Sequence, residues 1–294
     1  QPKGKNMKRR TLAAGAIAAL LGVALTACQQ SPTAQSSAGA SAPAATGSAQ
    51  GRIAIGVKFD QPGTSLKVGN DLKGFDADLA RYIASELGYG TSQIDWKEAV
   101  SAQRETMIQS GQVKFIVGTY SITDARKKTV DFAGPYFIAG QDLLVRTDDS
   151  SITGPESLNG KRLCSVTGST SAANVKAKFA NSVDLIEQDS YSKCVQALAG
   201  GQVDAITTDN TILAGYAAQD QYKGKLKLGG KTFSTENYGV GLPKGDTATC
   251  TAITDAIKKF ISSGSWQRAV DANFAPAGFK VDTSINPPTP APCS

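Results

Sequence analysis

The chain has 294 residues, and its 31 lysines and arginines against 25 aspartates and glutamates give a formal net charge of +6. Five of these cations precede residue 11 and no acid accompanies them, which leaves 26 cations against 25 acids in the rest of the chain. The basic balance is therefore not that of a nucleic-acid-binding surface. The chain also has no histidine, which excludes Ser-His-Asp and Cys-His nucleophile systems and removes the commonest general base.

The N-terminal region has the layout of an export signal. Three cations at residues 8–10 precede an apolar stretch over residues 12–25 that is too short and too rich in alanine for a transmembrane helix. We therefore predict a secretory signal peptide over residues 1–27. The segment Leu-Thr-Ala-Cys that ends at Cys28 resembles the lipobox of bacterial lipoproteins, which implies that Cys28 becomes the lipidated N-terminus of an exported chain. Residues 28–50 carry no charge and predict a disordered tether.

Four cysteines follow the tether: Cys164, Cys194, Cys250 and Cys293. An even number of cysteines in an exported chain favours two disulfides over buried free thiols, and four cysteines allow three pairings. A zinc site is not expected, because the spacings are long and histidine is absent. We expect no metal and no cofactor.

From residue 51 onward, apolar periodicity predicts strands that alternate with helices. One helix face is marked by Phe75, Leu79, Ile83 and Leu87, and it ends at Gly88. The predicted strands cover residues 52–57, 94–96, 115–118, 161–166, 183–186 and 205–208, and the further helices cover residues 102–110, 171–179, 191–199 and 247–262. This alternation predicts parallel β-α units and an α/β fold.

Two segments of the chain resemble each other at an offset of 90 residues. Residues 111–119 (GQVKFIVGT) align with residues 201–209 (GQVDAITTD), and each reads as a glycine turn, a short strand and a polar end. Thr119 and Asp209 therefore stand at matching strand ends. Because ligands bind at the carboxyl ends of strands in open α/β sheets, two such ends predict a cleft between two lobes.

Several motifs match one protein family in the right order. They are residues 74–80 (GFDADLA), 118–126 (GTYSITDAR), 130–136 (VDFAGPY) and 166–171 (VTGSTS). With them the chain resembles the extracellular solute-binding proteins for polar amino acids that serve ABC importers. Lys114 departs from the family, which usually has an aspartate there, and we attach no functional weight to it.

The resemblance implies the two-lobe periplasmic-binding-protein fold of type II, which closes like a hinge on one ligand. Lobe 1 would comprise residues 51–140 and 238–294, and lobe 2 would comprise residues 141–237. Two extended crossovers would fall near residues 139–143 and 237–240. Within this fold the pairs Cys164–Cys194 and Cys250–Cys293 are preferred, because each pair would lie within one lobe.

An amino acid ligand needs partners for its carboxylate and for its ammonium group. The fork of Arg126 can hold a carboxylate through two parallel hydrogen bonds, and Ser169 and Thr170 at a helix start suit the same anion. By resemblance, Asp209 accepts the ammonium group with help from Thr119 and Ser121 on the other lobe. Structural alternatives remain open, namely pairing of Arg126 with Asp124 or Asp131 and helix capping by Ser169, Thr170 or Asp209.

Specificity is expected in the loops that carry Lys58 and Arg104, where acidic-amino-acid binders place positive residues. These two cations could neutralise a side-chain carboxylate, and Phe59 could cover the aliphatic part of the ligand. The motifs KFDQPG and QRE resemble glutamate binders in particular. The alternatives are a solvated Lys58, an ion pair of Arg104 with Glu98 or Glu105, and an ordinary core position for Phe59.

Together these features predict a monomeric lipoprotein on the outer face of the cell membrane. It would capture glutamate, with aspartate also possible, and deliver it to the permease of an ABC importer, without catalytic residues. One alternative is a sensor that presents glutamate or aspartate to a membrane receptor. Another is a dehydratase-like enzyme on the same fold, which would need an acid or base other than histidine.

Overall fold

The structure is a computed structural model that describes residues 51–178 and 182–294. The predicted signal peptide, the lipidation site at Cys28 and the tether over residues 28–50 lie outside the described residues. Within those ranges, no helix has the length and apolar content needed to cross a membrane.

The first of two five-stranded sheets is built from both ends of the described chain. Its strands are β1 (Ile53–Val57), β5 (Ile94–Glu98), β6 (Phe115–Ile116), β7 (Val130–Ala139) and β13 (Glu236–Pro243), and their spatial order is β5-β1-β6-β13-β7. Parallel pairing joins β1 to β5 and β6, whereas β13 runs antiparallel to β6 and β7. Three buried residues of β1, Ile53, Ile55 and Val57, anchor this sheet in the core.

The second sheet comes from the middle of the chain. Its strands are β8 (Gln141–Arg146), β9 (Arg162–Val166), β10 (Asp184–Gln188), β11 (Ala205–Asp209) and β12 (Leu226–Leu228), in the order β10-β9-β11-β8-β12. We call the first sheet with its helices lobe 1 and the second sheet with its helices lobe 2. The predicted two-lobe α/β fold is confirmed.

Helices cover both sheets. In lobe 1 they are α1 (Phe75–Glu86), α2 (Arg104–Gln109), α3 (Asp124–Lys127), α7 (Thr247–Ser262) and α8 (Ser265–Asn273); in lobe 2 they are α4 (Ser171–Lys178), α5 (Tyr191–Ala199) and α6 (Asn210–Ala217). The predicted four-residue spacing holds in α1, where Phe75, Leu79 and Ile83 are buried. The Phe75 ring lies 5.4 Å from Phe137 and 5.5 Å from Phe274 between ring centroids, which ties α1 and α8 to β7.

A small third sheet occupies the segment that the sequence analysis treated as a loop. It consists of β2 (Asp60–Gln61), β3 (Ser65–Val68) and β4 (Asp71–Lys73), all antiparallel. The strands are two to four residues long and mostly polar, so they carry no periodic signal. This sheet projects from the end of β1 and places Asp60 and Gln61 beside the boundary between the lobes.

The lobes are connected by two crossings that run side by side. The first is Gly140, between β7 and β8, and the second is the segment 229–235 between β12 and β13. They are joined by the Phe233 N–H, which donates to the Gln141 carbonyl at 3.0 Å. The second crossing precedes the predicted residues 237–240, because those residues already pair with β7 as part of β13.

Each lobe contains one disulfide. Cys164–Cys194 joins β9 to α5, and Cys250–Cys293 joins α7 to the C-terminal segment, the same two pairs that the two-lobe fold favours. The sequence separations of 30 and 43 residues correspond to a stabilisation of about 4 kcal/mol each in the loop-entropy description. The C-terminal segment also follows β7, since the Ala291 N–H donates to the Gly134 carbonyl at 2.8 Å.

Candidate functional site

A pocket between the two lobes, called the cleft below, takes its walls from both of them. It encloses about 290 Å³ of space between the atoms of its walls, part of it continuous with solvent. Its lining is almost entirely polar and consists of Gln61, Ser101, Arg104, Thr119, Ser121, Arg126, Ser169, Thr170, Ser171, Tyr191, Thr208, Asp209 and Ile212. Seven of the nine predicted ligand-binding residues therefore meet in one place, all but Lys58 and Phe59.

Arg126 is held rigidly at the junction of the lobes. Thr123 caps the short helix α3 by accepting from the Arg126 N–H at 3.2 Å. The guanidinium donates to the Ser121 carbonyl at 2.8 Å and, across the cleft, to the Gly168 carbonyl at 3.0 Å. A preorganised, buried arginine that can bond to both walls suits a carboxylate placed between them.

The alternative partners proposed for Arg126 are engaged elsewhere. Asp124 pairs with Lys127 at 3.0 Å, and Asp131 pairs with Lys244 at 2.7 Å. The carboxylate that approaches Arg126 is Glu105, at 3.4 Å from Nε. Glu105 also accepts from the Tyr120 hydroxyl at 2.7 Å. It therefore holds the Arg126 side chain in place without lining the cleft.

Lys58 and Arg104 converge on Ser101. The Lys58 ammonium donates to the Ser101 hydroxyl at 2.8 Å, and Arg104 Nε donates to the Ser101 carbonyl at 3.3 Å. Both cations are buried, with exposed fractions of 5 % and 2 %, so the alternative of a solvated Lys58 is wrong. Arg104 also donates to the Gly118 carbonyl at 3.2 Å, and neither Glu98 nor Glu105 forms the ion pair considered for it.

Lys58 and Arg104 are destabilised by burial and by the cations beside them. Burial lowers the pKa of Lys58 well below its usual value, and the charge of Arg104 lowers it further. Burial and Arg126 together lower the pKa of Arg104 to about 10. The Tyr120 ring lies under both guanidinium groups, with Cζ 4.1 Å and 4.9 Å from its centroid, and supplies partial compensation. A bound dianion would complete that compensation.

Asp209 supplies the negative charge on the lobe 2 wall. It is the last residue of β11, and its Oδ2 accepts from the Tyr238 hydroxyl at 2.6 Å. Burial raises the pKa of Asp209 to about 7, and the charge of Glu236 adds to the increase. A cation in the cleft would stabilise the ionised carboxylate.

Glu236 is a buried carboxylate that the sequence analysis missed. Its two oxygens accept from the hydroxyls of Ser121 at 2.7 Å and Ser234 at 2.6 Å. Glu236 opens β13, so it stands at the second crossing and touches a residue 115 positions away in sequence. Only the folded chain brings it to the site, because no local sequence pattern marks it.

Thr119 adopts a left-handed backbone conformation at the cleft, with φ of 44°. Its N–H donates to Asp76 Oδ2 at 2.7 Å, and its hydroxyl donates to Gln61 Oε1 at 3.1 Å. Asp76, from the GFDADLA motif, also accepts from the Tyr136 hydroxyl at 2.9 Å, and burial raises the pKa of Asp76 to about 7. Asp76 therefore holds the turn that presents Thr119 and leads to Ser121.

The segment before α4 brings the lobe 2 backbone against lobe 1. A Cβ on Gly168 would lie 2.6 Å from the Ala102 Cα atom, and the residue has φ of +81°, so only glycine fits. Ser169 follows, with its hydroxyl 3.1 Å from that of Ser165. The Thr170 carbonyl accepts from the Asn174 N–H, which places both residues at the start of the helix, and both line the cleft.

Phe59 is not part of the cleft lining. Its ring packs at the edge of the lobe 1 core, and the Lys67 ammonium lies 4.6 Å above it. Lys58 is buried against Ser101, whereas the Phe59 ring packs away from the cleft lining. The predicted contact with the ligand therefore has no support here, and the alternative of a core position describes the residue better.

Two α/β lobes around a cleft lined by buried charges of both signs define a two-lobe solute-binding protein. The chain belongs to the bacterial extracellular solute-binding proteins, family 3, whose sequence pattern matches residues 53–282. It is 43% identical to the glutamate-binding protein GluB of Corynebacterium efficiens over 278 residues, which are 92% of both chains.

Two other similarities have lower identity. The chain is 38% identical to the ABC transporter glutamine-binding protein GlnH of Bacillus subtilis, over 73% of this chain and 78% of that one. Among solved structures, an ancestral arginine-binding protein bound to arginine matches with a TM-score of 0.70 and 34% identity, over 76% of this chain and 99% of that one. The names of these proteins state different amino acids.

Proposed function

We propose that this protein captures glutamate in the cleft and delivers it to an ABC-type amino acid importer. The observation that carries the proposal is the charge of the cleft lining, where Arg104 and Arg126 face the single carboxylate of Asp209. Glutamate carries two carboxylates and one ammonium group, so its charges complement this set. The similarity to a glutamate-binding protein over 92% of the chain supports the same choice.

Each charged group of the ligand has a partner in this proposal. Arg126, Ser169 and Thr170 bind the α-carboxylate, while Asp209 accepts the ammonium group together with Thr119 and Ser121. Arg104 and the Ser101 hydroxyl contact the side-chain carboxylate. Lys58 acts through Ser101, because its ammonium already donates to that hydroxyl and so turns the hydroxyl proton toward the cleft. Aspartate has the same charges on a shorter chain and is a weaker ligand here.

The cleft requires no chemistry for this role. Binding stabilises the closed arrangement of the lobes, and the importer recognises that state. We propose that the protein catalyses no reaction and acts as a monomer on the outer face of the membrane. Lipidation of Cys28 would keep it near the permease.

The proposal is tested by titration calorimetry of the processed chain against each of the common amino acids, with nuclear magnetic resonance spectra of the ligand after incubation. We expect one molecule of glutamate bound per chain and an unchanged ligand. Turnover of an amino acid would instead favour the dehydratase-like alternative, and binding of arginine above glutamate would contradict the assigned substrate.

A further inference from the structure

A second contact between the lobes lies beside the cleft and is not part of its lining. Asp60, in the small sheet of lobe 1, has an oxygen, Oδ2, that accepts from the Ser192 N–H at 3.2 Å and from the Tyr216 hydroxyl at 3.1 Å. The Tyr216 hydroxyl has one proton, which it shares between this oxygen and the Asp60 backbone carbonyl. Ser192 belongs to α5 and Tyr216 to α6, so every one of these bonds joins lobe 1 to lobe 2.

The same contact is made possible by a glycine in the middle of a helix. A Cβ on Gly215 would lie 1.9 Å from the Pro62 carbonyl oxygen and 2.8 Å from its carbonyl carbon. Helix propensity favours alanine over glycine at such a position. The absence of a side chain is therefore explained by the close approach of the Pro62 backbone from the other lobe.

The Tyr216 hydroxyl is held as a hydrogen-bond donor in this contact. Tyr216 is buried, with an exposed fraction of 2 %, and burial together with the charge of Asp60 raises the pKa of Tyr216. Its hydroxyl therefore remains protonated and available as a donor to Asp60. The neighbours in sequence, Gln61 after Asp60 and Tyr191 before Ser192, both line the cleft.

We propose that Asp60, Gly215 and Tyr216 form an interlobe latch that determines amino acid affinity without touching the ligand. Any separation of the lobes breaks the bonds of Asp60 and opens the gap between Gly215 and Pro62. The latch therefore stabilises only the closed, binding-competent arrangement. Because the observed affinity is the intrinsic affinity reduced by the competent fraction, weakening the latch lowers affinity for every amino acid that the cleft accepts. It also positions Gln61 and Tyr191 against the ligand.

The latch depends on the proposed function in one respect only, which is that an amino acid binds in the cleft. The experiment measures equilibrium affinity by calorimetry and dissociation rate by stopped flow for Tyr216→Phe and Gly215→Ala. Both measurements use the two amino acids that the unsubstituted protein binds most tightly, whichever these are. Asp71→Ala is the control, because Asp71 is an exposed acid of the same small sheet. Thermal unfolding of each ligand-free variant checks the fold.

We expect Tyr216→Phe to weaken binding roughly tenfold or more, since it removes a hydrogen bond to a charged group. Gly215→Ala should weaken binding at least as much and should speed dissociation. Affinity for both ligands should fall by the same factor, and the unfolding temperature of the ligand-free variant should not fall. Asp71→Ala should leave affinity unchanged. Unchanged affinity in either latch variant, or a loss that follows thermal destabilisation, overturns the latch. If the protein binds another amino acid more tightly than glutamate, the assignment of glutamate as the substrate is wrong. The latch is still tested with the amino acids that do bind.

Discussion

The carboxylate of Asp76 accepts a hydrogen bond from the Thr119 N–H at 2.7 Å and thereby connects the start of α1 to the cleft. Thr119 has φ of 44°, a conformation that costs a residue with a Cβ about 1–2 kcal/mol. The bond to Asp76 offsets that cost. The GFDADLA motif thus contributes to the site through a residue that does not line it.

Above pH 7, where Asp76 is ionised, we predict that Asp76→Asn weakens binding of all amino acids by roughly tenfold, because the amide loses the charge that holds the Thr119 N–H. In a Thr119→Gly background the same substitution should cost less, since glycine adopts the left-handed conformation freely. Calorimetry of both single variants and of the double variant checks this, because the cycle cancels the loss of the Thr119 hydroxyl. If Asp76→Asn weakens binding by the same factor in both backgrounds, Asp76 does not act through the turn.

Arg126→Ala should abolish measurable binding of every amino acid, because it removes the partner of the carboxylate that all of them share. Arg126→Lys is the matched variant, since it keeps the charge and loses the planar fork. We expect Arg126→Lys to retain binding that is weakened by at least about tenfold. Full affinity of Arg126→Ala for any amino acid would remove Arg126 from the α-carboxylate position.

Arg104→Ala should weaken glutamate selectively relative to glutamine. Arg104 is assigned to the side-chain carboxylate, and removal of its charge costs the charged ligand more than the neutral amide. The measured quantity is the ratio of the two dissociation constants before and after substitution. If glutamate and glutamine weaken by the same factor, the assignment of specificity to Arg104 is incorrect.

Binding should release protons near neutral pH. The pKa of Asp209 is raised from 3.8 to about 7 in the ligand-free protein. Its carboxyl is therefore partly protonated at neutral pH, and the ammonium group of the ligand displaces that proton. Affinity should therefore fall as the pH decreases below about 7, approaching tenfold per pH unit, and level off above it. Calorimetry at pH 7 in buffers of different ionisation enthalpy should detect proton release that depends on Asp209. Asp209→Asn should lose this release along with affinity.

The same raised pKa has an opposite consequence for stability. Because the folded, ligand-free state holds the Asp209 proton more tightly than the unfolded chain does, this carboxyl destabilises the fold progressively as the pH rises from about 4 to about 7. Asp209→Asn should therefore raise the ligand-free unfolding temperature at pH 7 while it weakens binding. A lower unfolding temperature for this variant would contradict the burial of an ionising group at this position.

Local sequence signals predicted the α/β units well. In α1 the spacing of Phe75, Leu79 and Ile83 marks one buried face. A glycine turn precedes each of the short strands β6 and β11. The internal resemblance between these strands predicted that Thr119 and Asp209 would face one cleft, and both line it. Such features depend on residues close together in sequence, so the sequence alone indicates them.

Contacts between distant segments were not predictable in the same way. Glu236 enters the site because β13 returns to lobe 1 beside Ser121, and Asp60 meets Tyr216 across 156 positions. Phe59 was expected either to cover the ligand or to hold a core position, and only the fold shows that it packs at the edge of the lobe 1 core. These placements follow from strand pairing and lobe closure, which have no local pattern.

The central claim is that the cleft is matched to a ligand with two carboxylates and one ammonium group. The most direct measurement is the ratio of the dissociation constants for glutamine and glutamate, by titration calorimetry of the unsubstituted protein above pH 7. The two ligands differ by one charge at nearly equal size. We predict that glutamate binds at least about tenfold more tightly, corresponding to one charge-assisted interaction. Equal affinity, or tighter binding of glutamine, would contradict the assignment of Lys58 and Arg104 to a side-chain carboxylate.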